Sequence, residues 1–324
     1  MVESAKLWST DLGLPADCVE FCPVRPELFV VGMYKLDEEA GERHGALTTF
    51  QWHGGADVQL LCHSGSLPGA LDVKWRDDIL AGAFSDGSVR LCQLRKERLE
   101  PEASCQAANC LALAVAWAPG GDKLAVSCSN GSVSILSCGS ASLESTAEIQ
   151  CHNFEAWTVA WDAAQPHVFY TGGDDCRFCC WDERSPAQAV RTLRRHTMGV
   201  TAIAPHPSQD HVLASGSYDE QVLLWDTRSF SKPLAEGQAG GGVWRLRWRT
   251  GPPHQQQLLA VAAMHGGACV LAYSSADVLQ RVCTFDGHQS MVYGIDWAGE
   301  DTLASCSFYD KHLALWRHDN LRES

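Results

Sequence analysis

A histidine, a serine or threonine, an aspartate and a tryptophan recur in that order at three places along the chain. The sets are His152, Thr171, Asp175 and Trp181; His196, Ser215, Asp219 and Trp225; and His288, Ser305, Asp310 and Trp316. Serine, histidine and aspartate are the groups from which many hydrolases build an activated nucleophile. Because the set is repeated, we favour a structural hydrogen-bond network, in which the aspartate orients the histidine and the network ends at a buried indole N–H. The third set has one extra residue in its turn, 307–310, so we expect a distorted network there.

A second candidate for chemistry is a short cysteine string, in which Cys176 is followed by Cys179 and Cys180. Thiolates at this spacing can bind zinc. The string lies on a predicted strand, however, where residues three apart face opposite sides, and no second ligand pair follows it. We therefore expect no metal. The fifteen cysteines are scattered through apolar stretches and are expected to be reduced core thiols. No glycine motif for nucleotides occurs in the sequence, so no cofactor is expected.

The elements that must position these residues are short strands in a repeated phrase. Each copy begins with an apolar strand ending in Trp or a substitute, then has a strand of small residues, a Gly/Asp turn and another apolar strand. The seven first strands contain Val19-Glu20-Phe21, Val73-Lys74-Trp75, Val115-Ala116-Trp117, Val159-Ala160-Trp161, Ile203-Ala204-Pro205, Leu246-Arg247-Trp248 and Ile295-Asp296-Trp297. Their spacing is close to the ~40–45-residue period of a four-stranded blade. The sequence predicts an all-β, seven-bladed WD-repeat β-propeller.

The ends of the chain indicate how this ring closes. The seventh copy ends near Trp316 with no room for an outer strand, and the segment 6–9 before the first copy can supply that strand. A ring closed in this way exposes no long sheet edge. We predict one domain over residues 1–324, with an N-terminal strand at 5–12. The predicted blades are approximately 17–60, 70–105, 110–150, 155–192, 197–236, 241–282 and 290–318.

Composition and charge narrow the classes of function. The formal net charge of −14 disfavours nucleic-acid binding, because no basic stripe is available to neutralise phosphates. No run approaches the ~18 apolar residues that span a bilayer, and residues 1–10 lack the cationic start and apolar core of a secretory signal. We expect a cytoplasmic monomer that binds neither membrane nor nucleic acid.

The candidate site lies at one mouth of the ring, where loops and strand ends converge. Blades 2 and 3 offer only the small residues Ser85 and Ser129 there, and blades 1 to 3 are expected to act mainly as scaffold. In blades 4 to 7, the residues before the turns and at the starts of the first strands are larger. They are Asp174, Tyr218, His265 and Tyr309 from turns, and Glu155, Trp157, Trp244 and Tyr293 from strand starts. Ring faces and carboxylates both attract cations, so this rim predicts a cationic ligand.

His265 differs from the polar residues usual in such turns, because no turn aspartate follows it to hold it in place. An imidazole titrates near neutrality and is suited to act as a general acid or base. The alternative is a histidine that simply faces solvent from a loop.

Several of these segments together resemble one family, the WD-repeat diphthine methylesterases of the diphthamide pathway. The resemblance spans the chain and is sharpest from residue 152 onward. It is carried by the segments 7–17, 154–157, 172–175, 195–200, 216–220, 241–245, 264–266 and 306–310. It implies hydrolysis of the methyl ester of methylated diphthine on elongation factor 2, giving diphthine and methanol. Diphthine carries a quaternary ammonium, which agrees with the cationic ligand predicted from the rim.

The resemblance supplies no catalytic residues, so the roles at the site are our hypothesis. We expect His265 to activate water, with Asp174 or Glu155 nearby. The cation is expected in a cage of aromatic side chains, formed by Trp157, Tyr218, Trp244, Tyr293 and Tyr309.

Two other functions remain open, because a fold does not determine a function. The first is a non-catalytic adaptor. The second is a substrate receptor of a ubiquitin ligase, for which the strings at 181–184 and 225–228, both of the form W-D-x-R, would dock the ligase.

Overall fold

The computed structural model describes residues 4–139, 142–251, 256–273 and 277–318. The regular structure of these residues consists of strands, arranged in seven four-stranded antiparallel sheets. The first strand of each sheet packs against the first strand of the next, and the seventh packs against the first. The sheets are therefore the blades of a closed ring, and the predicted seven-bladed propeller is confirmed. Among the described residues, no helix is long and apolar enough to cross a membrane.

Blades 1 to 4 follow one another along the chain. Blade 1 contains β2 (Ala16–Cys22), β3 (Arg25–Asp37), β4 (Glu42–Gly54) and β5 (Asp57–Pro68). Blade 2 contains β6 (Ala70–Arg76), β7 (Ile79–Phe84), β8 (Ser88–Arg95) and β9 (Arg98–Gln106). Blade 3 contains β10 (Ala112–Trp117), β11 (Lys123–Cys128), β12 (Ser132–Cys138) and β13 (Leu143–Gln150). Blade 4 contains β14 (Ala156–Trp161), β15 (Val168–Gly173), β16 (Phe178–Asp182) and β17 (Arg191–Leu193).

Blades 5 to 7 complete the ring. Blade 5 contains β18 (Val200–Pro205), β19 (Val212–Ser217), β20 (Gln221–Asp226) and β21 (Ala235–Gln238). Blade 6 contains β22 (Arg245–Trp248), β23 (Gln257–Ala262), β24 (Ala268–Tyr273) and β25 (Leu279–Phe285). Blade 7 contains β26 (Val292–Trp297), β27 (Thr302–Ser307) and β28 (His312–His318), with β1 (Ser4–Asp11) as its outer strand.

The pairing of β1 with β28 closes the ring, as the sequence predicts. Ser9 lies opposite Ala314 and Asp11 opposite His312 in an antiparallel ladder. The outer strand of blade 7 therefore comes from the start of the chain, so the ladder joins segments from its two ends. This closure fixes the relative positions of blades 1 and 7, which both contribute to the site described below.

The inner strands are apolar on both faces because each sheet is covered on both sides by its neighbours. Adjacent residues of a strand point to opposite faces. Phe169 accordingly packs into the cluster between blades 3 and 4, and Tyr170 into the cluster between blades 4 and 5. Cys179 and Cys180 divide in the same way, so the cysteine string cannot present its thiols to one ion. All fifteen cysteines are free.

The recurrent histidine sets form structural networks in blades 4 and 5, as predicted. In blade 5, His196 Nδ1 lies 3.1 Å from Asp219 Oδ2, and its Nε2 lies 2.8 Å from Ser215 Oγ. The indole N–H of Trp225 donates to the same hydroxyl over 2.8 Å. The histidine, serine and tryptophan are buried, so the serine has no free face for a substrate. The set in blade 4 repeats this arrangement.

The network in blade 7 is distorted by its longer turn, again as expected. His288 Nε2 still lies 2.6 Å from Ser305 Oγ. On its other side, however, the hydroxyl of Ser307 lies 2.7 Å from Nδ1 and donates to Asp310. The extra residue thus inserts a hydroxyl between the histidine and its aspartate.

Candidate functional site

In six of the blades, the pairing between the first and second strands is irregular at the second residue of the first strand. A β-bulge at this point re-aims the side chain of the residue that it leaves unpaired. The residues at these positions are Asp17, Leu71, Leu113, Trp157, Thr201 and Tyr293. In blade 6, Trp244 takes the matching place immediately before β22. All seven line one cavity of about 400 Å³. We call this end of the ring the mouth.

Aromatic side chains form a continuous wall on one side of this cavity. The ring of Trp244 lies 5.4 Å from that of Trp157 and 4.9 Å from that of Tyr293, between centroids. Tyr218 contacts both tryptophans, at 6.3 and 6.0 Å. We call Trp157, Tyr218, Trp244 and Tyr293 the aromatic cage. Ring faces of this kind, set at several angles around one space, suit a compact cation.

Two carboxylates stand beside the cage. Glu155 lines the cavity, and Asp174 accepts a hydrogen bond of 3.1 Å from the indole N–H of Trp157. Burial, followed by the negative charge of Asp174, raises the pKa of Tyr218, so this phenol stays neutral at physiological pH. The cage therefore combines neutral rings with nearby negative charge.

The structure thus brings together six of the eight residues predicted from the sequence, Glu155, Trp157, Asp174, Tyr218, Trp244 and Tyr293. His265 lies apart from them, with 64% of its side chain exposed and its Nε2 3.8 Å from Glu220 Oε1. It does not line the cavity. The role of His265 as a base stays a prediction.

Tyr309 is 67% exposed and approaches the cage through the ring of Phe308, at 5.1 Å. The expected equivalence of Tyr309 with Tyr218 is wrong, because the extra residue in the turn of blade 7 shifts the register. Phe308 donates its backbone N–H to Met291, as Tyr218 does to Gly199. Phe308 is therefore the inward residue of this blade.

Two aromatic residues that the sequence analysis missed extend the wall of the cage. The ring of Phe308 lies 5.4 Å from that of Tyr293 and 5.0 Å from that of Tyr34. Tyr34 belongs to blade 1 and lines the cavity. Its backbone N–H bonds to Pro15, which is the same contact that places Tyr218 and Phe308. Counting residues from the start of the first strand of each blade would have found Tyr34.

Buried charges occupy the side of the cavity opposite the cage residues of blades 4 and 5. Arg245 Nη1 donates to Asp72 Oδ1 over 2.6 Å, and its Nη2 lies 3.6 Å from Asp17 Oδ2. Lys74 Nζ also donates to Asp72, over 2.6 Å. Blades 1 and 2, which were expected to act mainly as scaffold, thus supply these acids and this lysine to the cavity.

The two aspartates have different proton affinities. Burial raises the pKa of Asp17 to about 7, although Arg245 opposes the rise. Burial acts in the same direction on Asp72, but Arg245 and Lys74 outweigh it and hold its pKa below the ordinary value. Asp17 therefore holds a proton more strongly than an ordinary carboxyl, whereas Asp72 holds one more weakly.

Known proteins of similar sequence identify the family. The chain is 35% identical to the diphthine methyltransferase of Schizosaccharomyces pombe, over 93% of this chain and 94% of that protein. It is 34% identical to the human diphthine methyltransferase, over 90% of this chain and 74% of that protein. The chain belongs to the diphthine methyltransferase family.

Within this member of the diphthine methyltransferase family, models of general propeller repeats match parts of the chain. The WD domain, G-beta repeat model matches residues 187–226 and 279–317, each of which runs from the outer strand of one blade through three strands of the next. The anaphase-promoting complex subunit 4 WD40 domain model matches residues 73–164. A chain in the crystal structure of the mitotic checkpoint complex superposes with a TM-score of 0.78 at 18% identity, covering 98% of this chain and 93% of that one. That likeness concerns the fold alone.

A second layer of charges lies deeper in the ring of this diphthine methyltransferase relative. Arg247 pairs with Glu20 and lies 3.7 Å from Asp296 Oδ1. Glu20 accepts the backbone N–H of Trp75, and Asp296 accepts that of Phe21. These charges have partners and connect blades 1, 2, 6 and 7, so they support the floor of the cavity.

Proposed function

We propose that the protein hydrolyses the methyl ester of methylated diphthine on elongation factor 2, giving diphthine and methanol, in diphthamide biosynthesis in the cytoplasm. The observation that carries this proposal is the aromatic cage, with Glu155 and Asp174 beside it, at the centre of the ring. The proposal is also supported by the relatives, which are named diphthine methyltransferases.

The cage matches the chemistry of the proposed substrate. A quaternary ammonium has no N–H to donate, so a protein recognises it through ring faces and through the charge of nearby carboxylates. The cavity, about 400 Å³, is within the ~300–1,000 Å³ usual for small-ligand sites. It suits a modified side chain that enters from the mouth while the rest of the partner protein stays outside.

Hydrolysis and methyl transfer differ in the bond that breaks. In hydrolysis, water attacks the ester carbonyl and the acyl–oxygen bond breaks. In methyl transfer, the bond between the methyl carbon and its neighbour breaks or forms, and a donor or an acceptor of the methyl group is required. We propose hydrolysis, because it requires no co-substrate other than water.

The test uses purified protein and elongation factor 2 that carries methylated diphthine, with no methyl donor added. We expect mass spectrometry of the modified peptide to show loss of one methyl group, with methanol released. A gain of a methyl group that requires an added donor would instead establish methyl transfer.

A second candidate function is an adaptor, and one surface feature favours it. Arg184 and Arg228 are each held by an aspartate two residues earlier, Asp182 and Asp226, through bonds of 2.9 and 2.6 Å. Both arginine side chains are mostly exposed, so blades 4 and 5 present the same charged pair side by side. Binding of elongation factor 2 with no change in its methyl ester would support this function, and a bound ubiquitin ligase would specify it.

A further inference from the structure

Asp17 occupies the same position in blade 1 that Trp157 and Tyr293 occupy in blades 4 and 7. Each follows the first residue of its strand and lies in the irregular pairing that turns its side chain toward the cavity. Asp17 is therefore the acidic member of an otherwise apolar or neutral ring of bulged residues. Its charge contributes to the raised pKa values of three phenols that line the cavity, Tyr34, Tyr218 and Tyr293.

The carboxylate of Asp17 is buried without a hydrogen-bond donor. Only 4% of the residue is exposed. Among the described residues, no side chain or backbone N–H donates to it, and its ion pair with Arg245 is long, at 3.6 Å. Arg245 gives its short bond to Asp72 instead. A buried carboxylate with unused lone pairs beside a cavity is available to a water molecule or a substrate.

Three donors at the same cavity also lack hydrogen-bond partners. They are the buried Trp244 Nε1, Arg245 Nε and Arg247 Nε. An unsatisfied buried donor costs about 1–3 kcal/mol, so such groups are usually paired unless a ligand completes them. All three residues line the cavity, and Arg245 is the nearest cation to Asp17.

From this arrangement we propose that Asp17 is the general base that activates water for ester hydrolysis, and that Arg245 stabilises the negative charge that develops on the carbonyl oxygen. This inference rests on the proposed function and assigns the groups that would perform it. It places the base within the cavity, whereas His265 lies outside it.

Hydrolysis by these two groups proceeds through a tetrahedral intermediate. Asp17 takes one proton from water while the water oxygen bonds to the ester carbon, and the carbonyl oxygen gains a negative charge beside Arg245. The tetrahedral intermediate then collapses, the bond to the methoxy oxygen breaks, and Asp17 returns its proton to that oxygen to give methanol. The acid product loses its remaining proton to solvent. The trimethylammonium group stays in the cage and lowers the energy of the adjacent negative charge.

The environment of Asp17 suits this role. Its pKa of about 7 is set mainly by burial, with Arg245 lowering it, Asp72 raising it and Lys74 lowering it. A base whose pKa lies near the working pH combines a useful ionised fraction with sufficient proton affinity. The titratable and charged groups that face it come from every neighbouring element. They are Cys18 on β2, Tyr34 on β3, Asp72 and Lys74 on β6, Tyr218 in the turn after β19, Arg245 on β22, Tyr293 on β26 and Cys306 on β27.

The experiment compares Asp17→Asn with the natural protein in the hydrolysis of methylated elongation factor 2. Asparagine keeps the shape and removes the base. We expect kcat to fall by about 10²–10⁴-fold, with KM changed little because the cage is intact. In the natural protein, kcat/KM should fall about tenfold per pH unit below about pH 7, as the base is protonated. Asp57→Asn, which changes an exposed aspartate of blade 1, is the matched control and should hydrolyse normally.

The inference would be overturned if Asp17→Asn retained its kcat. Loss of hydrolysis in His265→Ala, together with that result, would point to His265 as the base. If Asp17→Asn does not fold, as judged by circular dichroism, Asp17→Glu and the pH profile of the natural protein decide instead. A pH profile that is flat between about pH 6 and 8 would contradict the assignment. An inert natural protein would mean that the proposed function itself is wrong, which is a different result from an active natural protein with an active Asp17→Asn variant.

Discussion

The indole N–H of Trp157 donates a hydrogen bond of 3.1 Å to Asp174 Oδ1. Trp157 comes from the first strand of blade 4, and Asp174 from the turn after the second. The bond therefore fixes the orientation of one wall of the cage and keeps a carboxylate at its edge. In this orientation the ring of Trp157 lies 5.4 Å from that of Trp244 and 6.3 Å from that of Tyr218, between centroids.

Replacement of Trp157 by phenylalanine removes this bond and reduces the ring face. We expect KM for methylated elongation factor 2 to rise by about 2- to 30-fold, which corresponds to the ~0.5–2 kcal/mol of a cation–π contact, with a smaller effect on kcat. Steady-state kinetics will measure both constants. Trp52→Phe removes an indole that bonds to Gly55, away from the site, and serves as control. Equal changes in the two variants would exclude a special role for Trp157.

Gly199 is required because Asp174 and the cage residue Tyr218 approach it closely. A Cβ atom at this position would lie 2.8 Å from Asp174 Oδ1 and 3.1 Å from Tyr218 Cδ2. We expect Gly199→Ala to displace both side chains and to raise KM by roughly 2- to 30-fold. In the control Gly65→Ala, the added atom meets His63 at an ordinary 3.4 Å, so KM should not change. A normal KM in Gly199→Ala would show that the cage does not depend on this geometry.

The cage should distinguish a cation from a neutral group of the same shape. Trimethylglycine and the 3,3-dimethylbutanoate anion differ at one atom. This atom is a quaternary nitrogen in trimethylglycine and a quaternary carbon in 3,3-dimethylbutanoate. We expect trimethylglycine to inhibit hydrolysis competitively and to do so less well in Trp157→Phe, because only the cation is attracted by ring faces and carboxylates. Equal inhibition by the two compounds would mean that the cavity recognises shape alone.

The histidine network of blade 5 should affect stability and leave catalysis unchanged. Burial alone would raise the pKa of Asp219, but hydrogen bonds from His196 and Thr197 lower it to about 2. The folded state therefore binds this proton more weakly than the unfolded chain, whose ordinary pKa is 3.8. The resulting stability is present above about pH 4 and is lost as the pH falls toward about 2.

We accordingly expect Asp219→Asn to reduce the free energy of unfolding by about 1–3 kcal/mol near neutral pH. Denaturant unfolding at several pH values will show whether the difference from the natural protein narrows on acidification. The kcat of the folded variant should be normal. A selective loss of kcat without loss of stability would revive the view of this network as a catalytic triad.

The fold is predictable because each blade repeats the same local pattern. The seven first strands, the turns and the missing outer strand of blade 7 are all visible in the sequence, and the pairing of β1 with β28 agrees with them. The positions of three cage residues can be predicted from the same repeat. Trp157, Trp244 and Tyr293 each stand two residues before the central apolar residue of a first strand.

Asp17 stands at that same position, two residues before Val19, so its place in the cavity was available from the repeat. The chemistry of Asp17 could not be predicted in this way, because it depends on residues that are far apart in the chain. Asp72 and Arg245 are 173 residues apart in sequence, and only the closed ring brings their side chains together. No local pattern predicts which of two buried aspartates the arginine will bond to.

The position of His265 depends on the conformation of its loop, which composition does not determine. Met264 has a positive φ of 46° and forms an isolated bridge with Val292 of the next blade. This bridge ties the loop to blade 7, and His265 extends to solvent. Phe308 was missed for a similar reason, since one inserted residue changes which side chain of the turn points inward.

The most direct test of the account is to run the reaction on methylated elongation factor 2 in water enriched in heavy oxygen. Acyl–oxygen cleavage predicts that one heavy oxygen enters the carboxylate of the product and none enters the methanol. Retention of the methyl group, or a demethylated carboxylate that contains no heavy oxygen, would contradict hydrolysis at this site.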